Sequence, residues 1–102
     1  MIHYEVTATF ADDHTAHRWL AWLRDGHIAE VVRGGASRAR IVCLDEPPRT
    51  FVVLYEFASR EMFDAYLREH APRLREEGLR LFPPPNVTYA RRSGDVLWTH
   101  AE

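Results

Sequence analysis

Two histidines, His27 and His70, occupy positions where helical periodicity calls for a buried apolar residue. In "HTAHRWLAWLRDGHIAEVVRGG", Ala16, Trp19, Leu20 and Leu23 recur at i, i+3, i+4 and i+7, the spacing of one helix face. Run straight through Gly26, that stripe centres close to His27, whereas Ile28, Val31 and Val32 define a stripe in a different direction. The spacing therefore predicts a break at Gly26, with His27 at the kink and turned toward the sheet. His70 behaves alike, since Met62, Phe63, Tyr66 and Leu67 centre their stripe where His70 projects. An imidazole, with an unperturbed pKa of about 6.5, can move protons at neutral pH, so both histidines are candidate catalytic groups. The first reading to set against this is a cap on a helix C-terminus, where the ring donates to free carbonyls and favours the macrodipole.

Strand parity supplies a second set of groups. Tyr4, Tyr55 and Tyr89 share faces with Ile2, Val53 and Val87, which are expected to point at the helices. A buried tyrosine seeks a partner for its hydroxyl, and His27, His70 or a bound molecule can serve. Tyr4, Trp19, Tyr55 and Tyr89 are thus candidate ligand-binding residues around an aromatic, sparsely polar cavity. The competing reading is a filled core whose hydroxyls reach the surface. Trp22, about 60° from Trp19 on the helical wheel, is expected at a rim. His14 and His17 lie at i, i+3 beside Asp12 and Asp13, but no second ligand cluster accompanies them, so no metal site is expected. Cys43 alternates with Ile41 and Ala39 and reads as a buried structural thiol. No activated serine, phosphate-cradling glycine loop or helix-spaced carboxylate pair is present, and no cofactor is implied.

The elements that position these groups are marked by changes of period. Ile2, Tyr4, Val6, Ala8 and Phe10 alternate with polar residues in a first strand. Asp12 and Asp13 cap the helix after it, and Gly34-Gly35 closes that helix. "ASRARIVCL" is a second strand, "DEPPR" a turn, and "TFVVLYEF" a near-continuously apolar and therefore central third strand. Ser59 caps a second helix that Pro72 ends or bends near His70. "RLREEGLRLF" continues as a helical piece, "PPP" breaks it, and "NVTYARR" is a fourth strand. Ser93-Gly94-Asp95 signals a turn or bulge, after which "VLWTH" is free to extend the pairing. A short similarity between "WLRDGHIAEVVRGG" and "YLREHAPRLREEG" suits two pseudo-symmetric halves. The order βαββαβ is the ferredoxin-like arrangement, an α+β fold with an antiparallel four-stranded sheet and both helices on one face.

At 102 residues the chain reads as one domain spanning residues 1–102. No apolar run approaches the ~20 residues that cross a bilayer, and "MIHYEVTATF" has no signal-peptide pattern, which argues against membrane association. A single cysteine excludes an internal disulfide and suits a reducing, cytoplasmic setting. All 13 basic residues are arginines interleaved with acids, and the net charge is −2, which argues against a nucleic-acid partner.

The other face of the sheet carries His3, Glu5, Thr7 and Thr9 on the first strand and Val52, Leu54 and Glu56 on the third. The second strand adds Arg38, Arg40, Val42 and Leu44, and the fourth adds Thr88, Ala90 and Arg92. Apolar and complementary charged groups mixed on one face suit a sheet-on-sheet contact between subunits, so a homodimer is expected.

"YEVT", "WLAWLRDGHIAEVV", "ASRARI" and "YLREHAPRLREEGLRLF" resemble a small bacterial family known only as a domain of unknown function, number 4286, of the dimeric α/β-barrel class. The resemblance covers nearly the whole chain, and the Trp-x-x-Trp…His-Ile segment is its most specific part. It implies two ferredoxin-like subunits that pack their sheets into a barrel, each with a pocket between helices and sheet. Members of that superfamily include cofactor-independent monooxygenases of antibiotic biosynthesis, haem-degrading monooxygenases, muconolactone isomerase and polyketide cyclases. The haem degraders combine an asparagine on the first strand with a tryptophan and a histidine on the second helix; here only His70 matches. The resemblance leaves two expectations. One is a dimeric barrel with a pocket for a small hydrophobic ligand. The other is an enzyme, monooxygenase, isomerase or cyclase, in which a histidine is general acid or base toward an aromatic or polyketide-like substrate.

Overall fold

The computed structural model describes residues 1–102. Strand β1 (Ile2–Phe10) buries Ile2, Tyr4, Ala8 and Phe10 and leaves His3, Glu5, Thr7 and Thr9 half-buried, as its alternation dictates. Asp12 starts helix α1 (Asp13–Trp22) by accepting from the Thr15 amide at 2.7 Å and the Thr15 hydroxyl at 3.0 Å. The helix then widens over Leu23–His27 into one π-type turn, in which the Ile28 amide donates to the Leu23 carbonyl. Gly26 leaves helical geometry there (φ 172°, ψ −31°), and helix α2 (Ile28–Arg33) continues on a new heading. The expected kink at Gly26 takes the form of a local widening of the helix. Gly35, at φ +129°, turns the chain into strand β2 (Ala36–Cys43), a conformation that side chains with a Cβ rarely adopt.

A turn closed by the Leu44 amide on the Thr50 carbonyl at 2.9 Å leads into strand β3 (Thr50–Phe57). Ser59 caps helix α3 (Arg60–Glu69) by accepting from the Met62 amide at 3.2 Å. A bend at His70 leads into helix α4 (Ala71–Leu81), with Pro72 in its first turn, where a missing amide hydrogen costs nothing. Strand β4 (Val87–Asp95) completes the sheet in the order β2-β3-β1-β4, every pair antiparallel.

All helices cover one face of this ferredoxin-like sheet. Phe10 of β1 meets Trp19 of α1 at 5.1 Å between ring centroids, and Tyr4 meets Phe63 of α3 at 5.2 Å. Tyr4 also stacks on Tyr55, its partner across the β1–β3 ladder, at 5.8 Å. Aromatic rings therefore fill much of the layer between sheet and helices.

Two local expectations are corrected. Ser93-Gly94-Asp95 forms neither turn nor bulge: β1 offers an unbroken partner edge, so pairing runs on to Ile2 opposite Asp95. "VLWTH" adds only the Val96 amide on the Met1 carbonyl, and Leu97 and Trp98 stand exposed. Cys43 is exposed rather than buried, because it ends β2, an edge strand, beyond the cover of the helices.

Where α2 ends, Gly34 lies against the α3–α4 bend. A Cβ there would sit 2.9 Å from Tyr66 Cδ1 and 3.0 Å from His70 Cγ. Gly34→Ala is therefore expected to destabilise the fold by about 1–3 kcal/mol through overpacking. Denaturant melts check this, and an unchanged midpoint would show that the contact yields freely.

Candidate functional site

Between the π-turn, α4 and the sheet lies a narrow cavity of about 50 Å³, which widens to about 520 Å³ when the open solvent at its mouth is counted. Trp19, Trp22, Leu23, His27 and Val31 wall it from the first helical region. Leu74, Arg75, Gly78 and Leu79 come from α4, and Tyr4, Val6, Val53, Tyr55, Tyr89 and Arg91 from the sheet. Tyr66 of α3 closes one side. No carboxylate is among the lining residues.

His27 reaches this space because the π-turn re-aims the chain at Gly26. Its ring stacks on Trp22 at 4.1 Å with 24° between planes, and Trp22 in turn packs on Phe82 at 5.4 Å. His27 Nδ1 is buried and has no hydrogen-bond partner. Burial pushes the imidazole down to about 4, with Arg91 acting in the same direction and Glu77 and Glu30 pulling against it. The ring is neutral at physiological pH, and with its proton on Nε2 the ring presents Nδ1 as an acceptor.

The remaining polar groups are donors. Arg75 donates from Nη2 to the Tyr4 hydroxyl at 3.2 Å, while its Nε–H is buried with no partner. Tyr89 donates to the Phe82 carbonyl at 3.0 Å. The hydroxyls of Tyr55 and Tyr66 have no protein partner. Burial raises all three of these phenols, Tyr66 and Tyr89 to about 12 and Tyr55 further, so each keeps its proton. A neutral base, a buried guanidinium N–H and two unpartnered phenols in a largely apolar enclosure can bind an aromatic ring, accept its acidic proton and hold the resulting oxyanion.

The structure brings His27, Tyr4, Trp19, Tyr55 and Tyr89 together around this cavity and places His70 outside it. His70 stacks on Tyr66 at 6.4 Å on the side facing Gly34, and its backbone links α3 to α4. Neither imidazole makes a helix-capping hydrogen bond. His14 and His17 are exposed, and no three His, Cys, Asp or Glu side chains converge as a metal would require. Sequence reasoning missed Arg75, Arg91 and Tyr66 as wall residues and put Trp22 only at a rim. The signals were present. Arg75 falls on the Ala71, Leu74, Gly78, Phe82 stripe of α4, and Arg91 shares the parity of Val87 and Tyr89.

The depressed histidine has a consequence for folding. In the unfolded chain His27 titrates near ~6.5, so between that value and about 4 the unfolded state binds the extra proton. Its contribution to stability is complete above the upper value and is lost as pH falls through the window. Between pH 7.5 and 4.5 the wild type should therefore lose about 1–2 kcal/mol more stability than His27→Gln, after allowance for partial solvent contact. Parallel stability curves would show that the ring titrates as it does in the unfolded chain.

Similarity to solved structures is one of fold. A dimeric ferredoxin-like protein from an uncultured marine organism superposes with a TM-score of 0.74 at 14% identity, covering 97% of both chains. SnoaB, a cofactor-independent oxygenase from Streptomyces nogalater, gives 0.70 at 15% identity, over 99% of this chain and 97% of its own. HapK from Hahella chejuensis gives 0.72 at 16%, over 100% and 98%. Among curated proteins none matches the sequence. The family model named domain of unknown function DUF4286 matches residues 1–92, nearly the whole length, and the chain belongs to that family.

Proposed function

We propose that the cavity binds a small planar aromatic molecule carrying an acidic hydroxyl, and that His27 accepts its proton. The observation that carries this reading is the pair of buried, unpartnered polar atoms, His27 Nδ1 and Arg75 Nε, on two walls of one cavity. A buried acceptor and a buried donor left unmade are costly unless a bound molecule completes them. In the proton transfer the substrate O–H bond breaks, the proton passes to Nδ1, and the electron pair stays on oxygen and spreads into the ring system. The hydroxyls of Tyr55 and Tyr66, which have no protein partner, are free to donate to the developing charge. The neutral imidazole is weakly basic in the empty site, and an oxyanion beside it stabilises the imidazolium that forms.

A cofactor-independent oxygenase is the more specific form of the same reading, supported by the fold shared with SnoaB. There the anion delivers electrons to O₂, so oxygen consumption is its readout. Isomerisation or cyclisation would pass through the same anion without O₂.

The chain is also proposed to act as a homodimer through the helix-free sheet face, as the dimeric fold neighbours support. Arg92 pairs with Glu5 at 2.8 Å, His3 lies 3.0 Å from Glu5, and Glu56 sits opposite Arg38 in register. The His3 and Arg92 contacts hold the Glu5 carboxyl below the usual range despite partial burial. Exposed Val42 lies on the same face, opposite half-buried Val52. Such a face buries poorly in a monomer and well against its own copy.

Two measurements test these readings. The wild type should bind 2-naphthol and larger hydroxylated polycyclic aromatics with quenching of tryptophan emission. His27→Ala should weaken binding about tenfold, a loss of roughly 1.4 kcal/mol, with a smaller effect on folding. If no such ligand raises the melting temperature, the cavity reading fails. Glu56→Arg should raise the dimer dissociation constant about tenfold by light scattering, and an unchanged value would exclude this face.

A further inference from the structure

Of the arginines that border the cavity, two have no acidic partner. Glu30, Asp95, Glu69 and Glu5 pair with Arg33, Arg73, Arg60, Arg68 and Arg92, but no ion pair includes Arg75 or Arg91. Other arginines of the chain are also unpaired; what sets these two apart is that both line the cavity, Arg75 with a buried Nε–H that has no partner. Arg91 lies opposite Val6 on the β1–β4 ladder, one helix-facing position along from Tyr89, whose ring it overlies at 5.8 Å. Arg75 comes from the α4 stripe that faces the same space and is tethered through Tyr4. Beside the main cavity lies a second, more open cleft of about 140 Å³, and the two share Tyr4, Arg75 and Arg91. The second cleft also has no carboxylate in its wall, and its third arginine, Arg92, is committed to Glu5.

We infer that Arg75 and Arg91 form an anion subsite at the junction of the two clefts, and that the ligand is an aromatic carboxylate. Its ring occupies the cavity beside His27, and its carboxylate lies between the two guanidiniums. This inference rests on the proposed cavity function and names the substrate class. The Arg75 Nε–H, buried without a partner, donates to one carboxylate oxygen, and Arg91 faces the other. Unpaired guanidiniums at a cavity mouth draw anions in and favour them over ligands that bring only a neutral ring. Their charge also accounts for the absence of acids from both walls: a resident carboxylate would neutralise the subsite and compete with the ligand.

The experiment compares 6-hydroxy-2-naphthoate, whose hydroxyl lies too far from its carboxylate to bond to it, with 2-naphthol by calorimetry at pH 7.5. Resonances of the arginine Nε–H groups and of the His27 ring are followed by NMR. The hydroxynaphthoate should bind at least tenfold more tightly and shift the Arg75 and Arg91 Nε–H signals. Arg75→Gln and Arg91→Gln should each reduce the affinity ratio to less than twofold, and Arg75→Lys should retain part of it. Arg91 is exposed, so its variant carries the test even if Arg75→Gln unfolds. Equal affinities in the wild type, or a ratio that survives both glutamine variants, would overturn the subsite. If 2-naphthol alone shifts His27, the cavity reading stands and the subsite falls. If hydroxynaphthoate shifts the arginines but never His27, the subsite stands and the proton-acceptor reading falls. Binding of neither ligand at millimolar concentration overturns both.

Discussion

The hydrogen bond from the Ile28 amide to the Leu23 carbonyl spans five residues where a helix would span four. That difference determines where the cavity can form and what lines it. In a regular helix each residue advances about 100° around the axis, so one extra residue in a turn changes which side chains face the sheet. Before the turn, Ala16, Trp19 and Leu23 are buried; after it, Val31 takes over the inward role. His27, which would continue the first stripe in a straight helix, is left on the cavity wall with Trp22 against its flat face. Gly26 lets the backbone leave helical angles, and a Cβ at that position would meet nothing within 4 Å. No close contact therefore requires a glycine at this position.

Around this point the protein combines burial with unmet polarity. Aromatic rings from β1, β3, α1 and α3 interlock, which is how a chain of this size builds a core dense enough to hold. The same burial strips water from His27 and from three tyrosine hydroxyls, biasing the histidine toward neutrality and the phenols toward retaining their protons. Packing and chemistry share one cause here. A looser core would return these groups to ordinary solution behaviour.

The sequence makes the fold legible because period-two and period-3.6 segments alternate sharply, with Asp12, Ser59 and Gly34-Gly35 marking their ends. His27 is legible for the same reason: a polar residue on the axis of an apolar stripe demands an explanation. The cavity arginines are harder to find. In "RLREEGLRLF" the charges look like a solvated face, and only the register of Ala71, Leu74, Gly78 and Phe82 shows Arg75 turned inward. His70 sits on an equally suggestive axis, yet the bend before Pro72 carries it to the far side of Tyr66, beside Gly34. Helical phase cannot be extrapolated across a bend. Cys43 shows the corresponding limit for strands: parity names a face, but only the sheet order shows that the face is bare at an edge.

That exposed thiol meets an unusual composition, since every basic side chain in the protein is an arginine. Without a lysine, no side chain carries a primary amine, and Cys43 supplies the only sulfhydryl. Reagents that modify lysines therefore find no side-chain target, while a thiol reagent finds a single one with no engineering. Cys43 shares the parity of Ala39 and Ile41, the helix-side residues of β2, and lies at the strand's free end. A label attached there occupies the edge of the sheet and leaves the charged opposite face clear.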